Sequence, residues 1–391
     1  MPFCRECGVQ VESTWKFCPH CNSEQESSVV IGNDSVHVGD ITVNQVDEES
    51  VKNTLKQIFD EQMAELAKIG FTKDSSPTEL TSSQETEVEQ ALVMSEKLAE
   101  HEIEIDPWTE ISLGNAAKLV GKNHSAETHY LLALDTFRKS GDRQGEAASL
   151  HSLGNIAQRQ GDLAEAERFH RESLAIEKVI GNRQGVASSL NRLGVILETQ
   201  GNLTEAEELY RESLAINEEI GEGRASSLKN LGIIARKRGD LDQAERLHRE
   251  CLAIEKETGD RDGEAGSLGN LGIISFQRGD LDEAELLQRK SLVIEREIGD
   301  LQGEASSLNS LGNISRQRGV LADAERLYQE SLLVFKRMGY KEGEASVLCN
   351  LGDIASDNEN MDEANKFYTE AVRIQREIGI PIDQWFIDNG Y

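Results

Sequence analysis

No stretch of the 391 residues approaches the ~20 consecutive apolar residues that a membrane-spanning helix requires. The start, Met1-Pro2-Phe3-Cys4, lacks the basic and apolar pattern of a signal peptide. A cytoplasmic protein is therefore expected. Positive charge is scarce. Forty-one Lys and Arg stand against 71 Asp and Glu, a formal net charge of −30. A surface of that sign repels phosphate backbones and argues against nucleic acid as a general partner. The same balance would suit a salt-adapted cytoplasm such as that of a halophilic archaeon. The patterns of catalysis are missing too: no nucleophile beside a base, no phosphate-cradling loop and no open metal site. His151 and His170 read as packing or groove residues, and no enzyme is expected.

Cysteine is sparse except at one end: of six, four fall within the first 21 residues. In a reducing compartment such clustering indicates metal ligation and not disulfides. Cys4-x-x-Cys7, ten residues, then Cys18-x-x-Cys21 supplies four thiolates, the tetrahedral set of a structural zinc site. A fold of residues 1–25 cannot hold together by burial alone, so zinc would supply its folding energy. The segment resembles the short zinc ribbons common at prokaryotic N-termini, with Phe3, Trp15 and Phe17 as a small apolar core. Cys18-Pro19-His20-Cys21 also matches a thiol-oxidoreductase motif, but the βαβ setting of that chemistry is absent. Zinc ribbons can contact nucleic acid, which leaves a nucleic-acid regulator as the alternative function. With only Arg5 and Lys16 basic in this one, protein contact or stabilisation is the preferred role.

Residues 26–46 are β-branched, alternating and punctuated by Gly-Asn and Gly-Asp turns, which predicts short strands. Such strands are unstable alone and need a partner surface. Residues 47–102 hold two amphipathic helices and a polar linker. The first carries Val51, Leu55, Ile58, Phe59, Leu66 and Ile69; the second Val88, Leu92 and Leu98. They could stack on the rest of the chain as an entry cap, or pair with another subunit. Residues 29–69 could thus serve homo-oligomerisation.

The remainder is periodic. A Leu-Gly pair recurs at Leu113-Gly114, Leu153-Gly154, Leu193-Gly194, Leu231-Gly232, Leu271-Gly272, Leu311-Gly312 and Leu351-Gly352, 40 residues apart except for one step of 38. Within a unit, Leu150, Leu153 and Ala157 share one helix face, Gly161-Asp162 breaks and caps, and a second helix runs to Gly181. Gly154 should let the second helix approach near Ala166. Each helix hairpin must bury its apolar face on its neighbours. These units resemble tetratricopeptide repeats of the 40-residue type seen in kinesin light chain-like and many prokaryotic proteins. The match lies in the Leu-Gly pair, the Ala twelve residues on, and the ring or His four further, as at His170, Tyr210, His248 and Tyr328. The family's proline near the end of the second helix is absent. The resemblance implies an all-α fold, a right-handed α-solenoid of seven hairpins over residues 103–379, with 380–391 as a C-terminal cap. Pro381, Ile382, Trp385 and Phe386 would form that cap or dock a partner.

The resemblance also implies that each first helix lines a concave groove. Beside the buried stripe, helical spacing places Asn155 and Arg159; Lys229, Ile233, Arg236 and Lys237; Ile273 and Phe276; Asn313 and Arg316. With Lys118 the inferred stripe carries six cations against Glu198, Asp353 and Asp357, net +3 on a chain of −30. The expected function is a protein-interaction scaffold whose groove holds an acidic peptide or helix.

Overall fold

The computed structural model describes residues 48–71, 80–379, 382 and 384–388, together with the backbone of 30–32, 35–38 and 41–44. The four cysteines of the expected zinc ribbon lie outside the described residues. Three short strands, β1 (Val30–Gly32), β2 (Ser35–Val38) and β3 (Ile41–Asn44), pair antiparallel in chain order, Val30 opposite His37 and Ser35 opposite Asn44. Helices make up the rest. Internal contacts divide the chain into two units, residues 1–173 and 174–391.

The first unit holds α1 (Glu48–Lys68), α2 (Ser82–Glu100), α3 (Pro107–Leu119), α4 (Asn123–Ser140), α5 (Arg143–Gln160) and the start of α6 (Leu163–Ile180). Helix α1 packs on α2, and α2 on α3, around Leu55, Phe59, Leu66, Val88, Leu92 and Leu98. Within this unit α2 therefore packs on the first helix of the repeats and α1 packs on α2. Local chemistry sets the boundaries. The Asp142 carboxylate accepts from the Gly145 amide at 3.0 Å and starts α5; Asp162 does the same for Glu165 at 3.0 Å and starts α6. Between them Gly161 sits at φ +84°, a left-handed position that halts α5.

The second unit continues with the end of α6 and five hairpins: α7 (Arg183–Thr199) with α8 (Leu203–Ile220), α9 (Arg224–Lys237) with α10 (Leu241–Thr258), α11 (Arg261–Arg278) with α12 (Leu281–Ile298), α13 (Leu301–Gln317) with α14 (Leu321–Met338), and α15 (Lys341–Asp357) with α16 (Met361–Glu377). A short α17 (Gln384–Asp388) ends the described chain. Phe386 of α17 joins Ala364, Tyr368 and Val372, and Trp385 sets its edge to Tyr368 with centroids 5.3 Å apart. Among the described residues of this segment, α17 thus packs on the last hairpin.

One contact explains the recurrent glycine. A Cβ on Gly154 would lie 2.6 Å from the His170 ring, one on Gly232 2.6 Å from His248, and one on Gly312 2.5 Å from Tyr328. Real Cβ atoms do not approach so closely, so the bare backbone is the floor on which a second-helix ring lies. The sequence placed Ala166 opposite Gly154. Ala166 is buried, but the ring four residues on fills the space.

A buried polar ladder joins successive elements. The hydroxyls of Ser213, Ser291 and Ser331 donate to the carbonyls of Ala187, Ala265 and Ala305 at 2.7–2.9 Å, and Cys251 does the same to Ala225 at 3.2 Å. Glu177 and Glu295 accept from Ser189 and Ser307 in the first helices of the following hairpins, at 2.8 and 3.0 Å. Burial raises the Glu295 carboxyl above its ordinary value and pushes the Cys251 thiol up to about 12. Cys251 is thus an inert packing group and not a nucleophile.

Candidate partner-binding face

The repeat positions one, four and five residues after each glycine lie on the first-helix face beside the buried stripe, half-buried or exposed. In the second unit this brings α7, α9, α11, α13 and α15 side by side, each packed near the next but one. The sequence expected a run of open cations here. The structure pairs most of them. Lys237 Nζ lies 2.8 Å from Glu198, which also accepts from the Tyr210 hydroxyl at 3.0 Å. Lys229 lies 3.8 Å from Glu255, itself 1 % exposed. Arg316 donates to Asp353 at 2.7 Å and to Asp357 at 2.8 Å. The Lys237 and Arg316 pairs cross between hairpins and hold neighbouring first helices in register, whereas the Lys229 pair joins the two helices of one hairpin. Each leaves little charge for a ligand.

Arg236 differs. It is half-buried, makes no ion pair among the described residues, and its Nε has no hydrogen-bond partner. Beneath it, burial, with Arg236 and Lys229 nearby, pushes the His248 imidazole down to about 4. His248 is therefore neutral near pH 7 and adds no second cation beside the guanidinium. Two tyrosines of this position are anchored one residue past the glycine: Tyr328 donates to Asn313 at 2.7 Å and Tyr368 to Asp353 at 2.8 Å. In the α9/α10 hairpin that residue is Ile233, which gives His248 no such anchor. Ile233, Ile273 and Phe276 are half-buried along the same face.

The first unit carries its own part of the pattern. Arg159 is exposed and Asn155 is half-buried, with its Oδ1 lacking a hydrogen-bond partner. Among the described residues no group of three or more His, Cys, Asp or Glu is gathered to hold a metal, and no helix is long and apolar enough to cross a membrane. Sequence reasoning counted the cations and missed their partners. The signal was available: Lys237 and Glu198 are 39 residues apart, and Arg316 is 41 from Asp357, one repeat in each case.

Comparisons with known proteins agree with this architecture. The tetratricopeptide repeat model matches residues 107–178, 147–219, 185–257, 223–297 and 303–377, together more than half of the chain. The chain belongs to the tetratricopeptide repeat family. Among solved structures, it is similar to the apo form of RapI with a TM-score of 0.59 at 15 % identity, covering 70 % of this chain and 98 % of that one. It is also similar to a signal-transduction ATPase of the STAND class with a tetratricopeptide repeat sensor, from Pyrococcus horikoshii: TM-score 0.57, 14 % identity, 85 % of this chain and 48 % of that one. A third is the Cut9–Hcn1 hetero-tetramer, at 0.51, 15 %, 74 % and 50 %. Likeness at such identities speaks for the fold alone. No curated protein matches the sequence.

Proposed function

We propose that the chain is a non-catalytic cytoplasmic scaffold that binds an acidic peptide or helix on the first-helix face of its second unit. Arg236 is the observation that carries this reading. It is the cation of α9 that the chain leaves without an ion pair among the described residues. A half-buried guanidinium without a partner is costly to keep and ready to receive a carboxylate in a bidentate, charge-assisted bond. Ile233 lies on the same helix, and Ile273 and Phe276 on α11, so a ligand with an acidic residue near apolar ones matches both features. The paired cations Lys229, Lys237 and Arg316 then serve mainly to fix the spacing of the helices. Zinc held by Cys4, Cys7, Cys18 and Cys21 belongs to the same proposal as a structural element of the N-terminal module.

The test is an array of acidic, neutral and basic peptides probed with the full chain and with Arg236→Glu. Acidic peptides carrying Leu, Ile or Phe should bind the parent, more weakly as salt rises. Arg236→Glu should lose them while its helical circular-dichroism signal stays intact. Undiminished capture by Arg236→Glu would show that partners dock elsewhere.

A further inference from the structure

The second helices of the second unit obey a charge rule with one exception. Eighteen residues after the repeat glycine stand Glu212, Glu250, Glu330 and Glu370. Cations meet them: Lys178 lies 3.3 Å from Glu212, Arg224 2.6 Å from Glu250, and Arg296 3.0 Å from Glu330. Lys178 and Arg296 come from the second helix of the preceding hairpin, so these bridges tie second helix to second helix. In the α11/α12 hairpin the acid is replaced by Lys290. The place of Lys178 and Arg296 is taken there by Lys256. Two cations therefore face a position where its neighbours set a cation against an acid. Lys290 has no ion-pair partner among the described residues, and Lys256 reaches only Glu264, at 3.9 Å.

Where the bridge is missing, the helices leave a groove of about 920 Å³ lined by both lysines. Its apolar wall departs from the repeat as well. Leu286 stands where the other hairpins of this unit have Glu208, Arg246, Arg326 and Lys366. Val293, like Leu333, is larger than Ala215 and Ala253 at the matching place. Leu286, Lys290 and Val293 are spaced i, i+4, i+7, so they form one stripe along α12. Leu286 is 47 % exposed and Val293 56 %. Three of the four acids on the rim are engaged already: Glu245 pairs with Arg249 and Arg278, Glu264 with Arg261, and Asp280 caps α12.

We propose that this groove docks an acidic amphipathic helix of another protein, seating a carboxylate between Lys256 and Lys290 and its apolar side chains against Leu252, Leu286 and Val293. The partner supplies the acid that the repeat supplies elsewhere. A net charge of −30 on each copy sets a second copy of this chain against itself and favours a separate partner. The groove lies between α10 and α12 over one side of α11, and none of Ile233, Arg236, Ile273 and Phe276 lines it.

Fluorescence anisotropy on the full chain tests this, with a panel of labelled, stapled helical peptides. Each carries Glu with Leu four residues before and three after, in varied flanks, and each has a twin with Lys in place of Glu. The Glu peptides should bind saturably and their Lys twins at least tenfold more weakly. Lys290→Glu restores the bridge to Lys256; it should cut Glu-peptide affinity at least tenfold with no fall in melting temperature. Leu286→Arg should weaken binding too, and each comparison is made in an Arg236→Glu background, which removes the first-helix face as a competing site for acidic peptides. Equal binding of the twins, full affinity in Lys290→Glu, or no saturable binding across the panel would overturn the proposal. So would a dimer in sedimentation that Lys290→Glu dissolves, because the groove would then be a self-contact.

Discussion

Adding a single methyl at two equivalent glycines should have unequal effects. At Gly312 the new Cβ would lie 2.5 Å from the Tyr328 ring, which is fully buried and tied by its hydroxyl to Asn313 at 2.7 Å. The ring cannot retract without breaking that bond and displacing its neighbours. Overpacking of this kind costs ~1–3 kcal/mol. Loss of the hydroxyl bond adds ~0.5–1.5 kcal/mol. Replacing a helical glycine by alanine returns ~1 kcal/mol. Gly312→Ala should therefore destabilise by about 2 kcal/mol, with overpacking as the dominant contribution. At Gly272 the Cβ meets Gln288, with Nε2 at 2.7 Å and Cγ at 3.0 Å. Gln288 is buried but unbranched, so its side chain can swing by a few tenths of an ångström, lengthening without losing its 2.9 Å bond to the Gly269 carbonyl. The helical gain then offsets the loss, and Gly272→Ala should be neutral to within about 1 kcal/mol. A repeat array need not unfold in one step, so a global melt alone is a poor reporter. Hydrogen exchange resolves the difference: amides of α13 and α14 should lose about 30-fold in protection in Gly312→Ala, and those of α11 and α12 little in Gly272→Ala. Equal losses at the two sites, or a stabilised Gly312→Ala, would refute the ring-on-glycine account.

Glu295 should make the second unit sensitive to pH. Burial raises its carboxyl above the ordinary 4.5, with the Ser291 and Ser307 hydroxyls opposing. The folded form thus prefers the neutral acid, and the penalty grows as pH rises from 4.5 through the raised value. Glu295→Gln should melt higher than the parent near neutral pH and converge with it below about 4.5; parallel curves across that window would remove the argument. For the N-terminal module, metal analysis of the reduced chain should find one zinc, lost together when Cys4 and Cys18 become Ser. A zinc content near zero in the reduced parent would end the ribbon assignment.

The periodic part of the fold was legible because each repeat states the same rule. Leu153, Leu193 and Leu231 must be buried, Asp142 and Asp162 must cap, and Gly161 must stop a helix, whatever the neighbouring sequence. Helix existence followed from spacing alone. The partner of Gly154 was harder. Ala166 and His170 both follow at helical spacing, and only the packing shows that the ring fills the glycine's space. The candidate face was legible in position and not in electrostatics. Arg316 and Asp353 looked like opposite contributions to a net charge, yet they form one bridge at 2.7 Å. Spacing along one helix reveals which residues share a face; it does not reveal which groups on adjacent helices meet. That information is carried by the 40-residue period, read across hairpins.

The same period, compared across hairpins, separates what builds the array from what the array presents. A residue that recurs at every period serves contacts that every hairpin makes, so it reports stability. A residue that breaks the period cannot be explained by the common packing. The α11/α12 hairpin breaks it on both faces. Gln288 replaces the ring, Gly269 stands where its neighbours have Lys229 and Asn309, and Phe276 takes the place of Arg236 and Arg316. On the second helix Leu286 and Lys290 replace polar and acidic residues, and Val293 continues their stripe. Scattered drift would spread such changes around the helix circumference, and exposed positions are free to drift. Here the second-helix changes lie with Val293 on a single i, i+4, i+7 line bordering a groove, and one of them sets two cations beside each other at a cost to the array. A feature that weakens the scaffold while shaping one surface is best accounted for by what binds that surface.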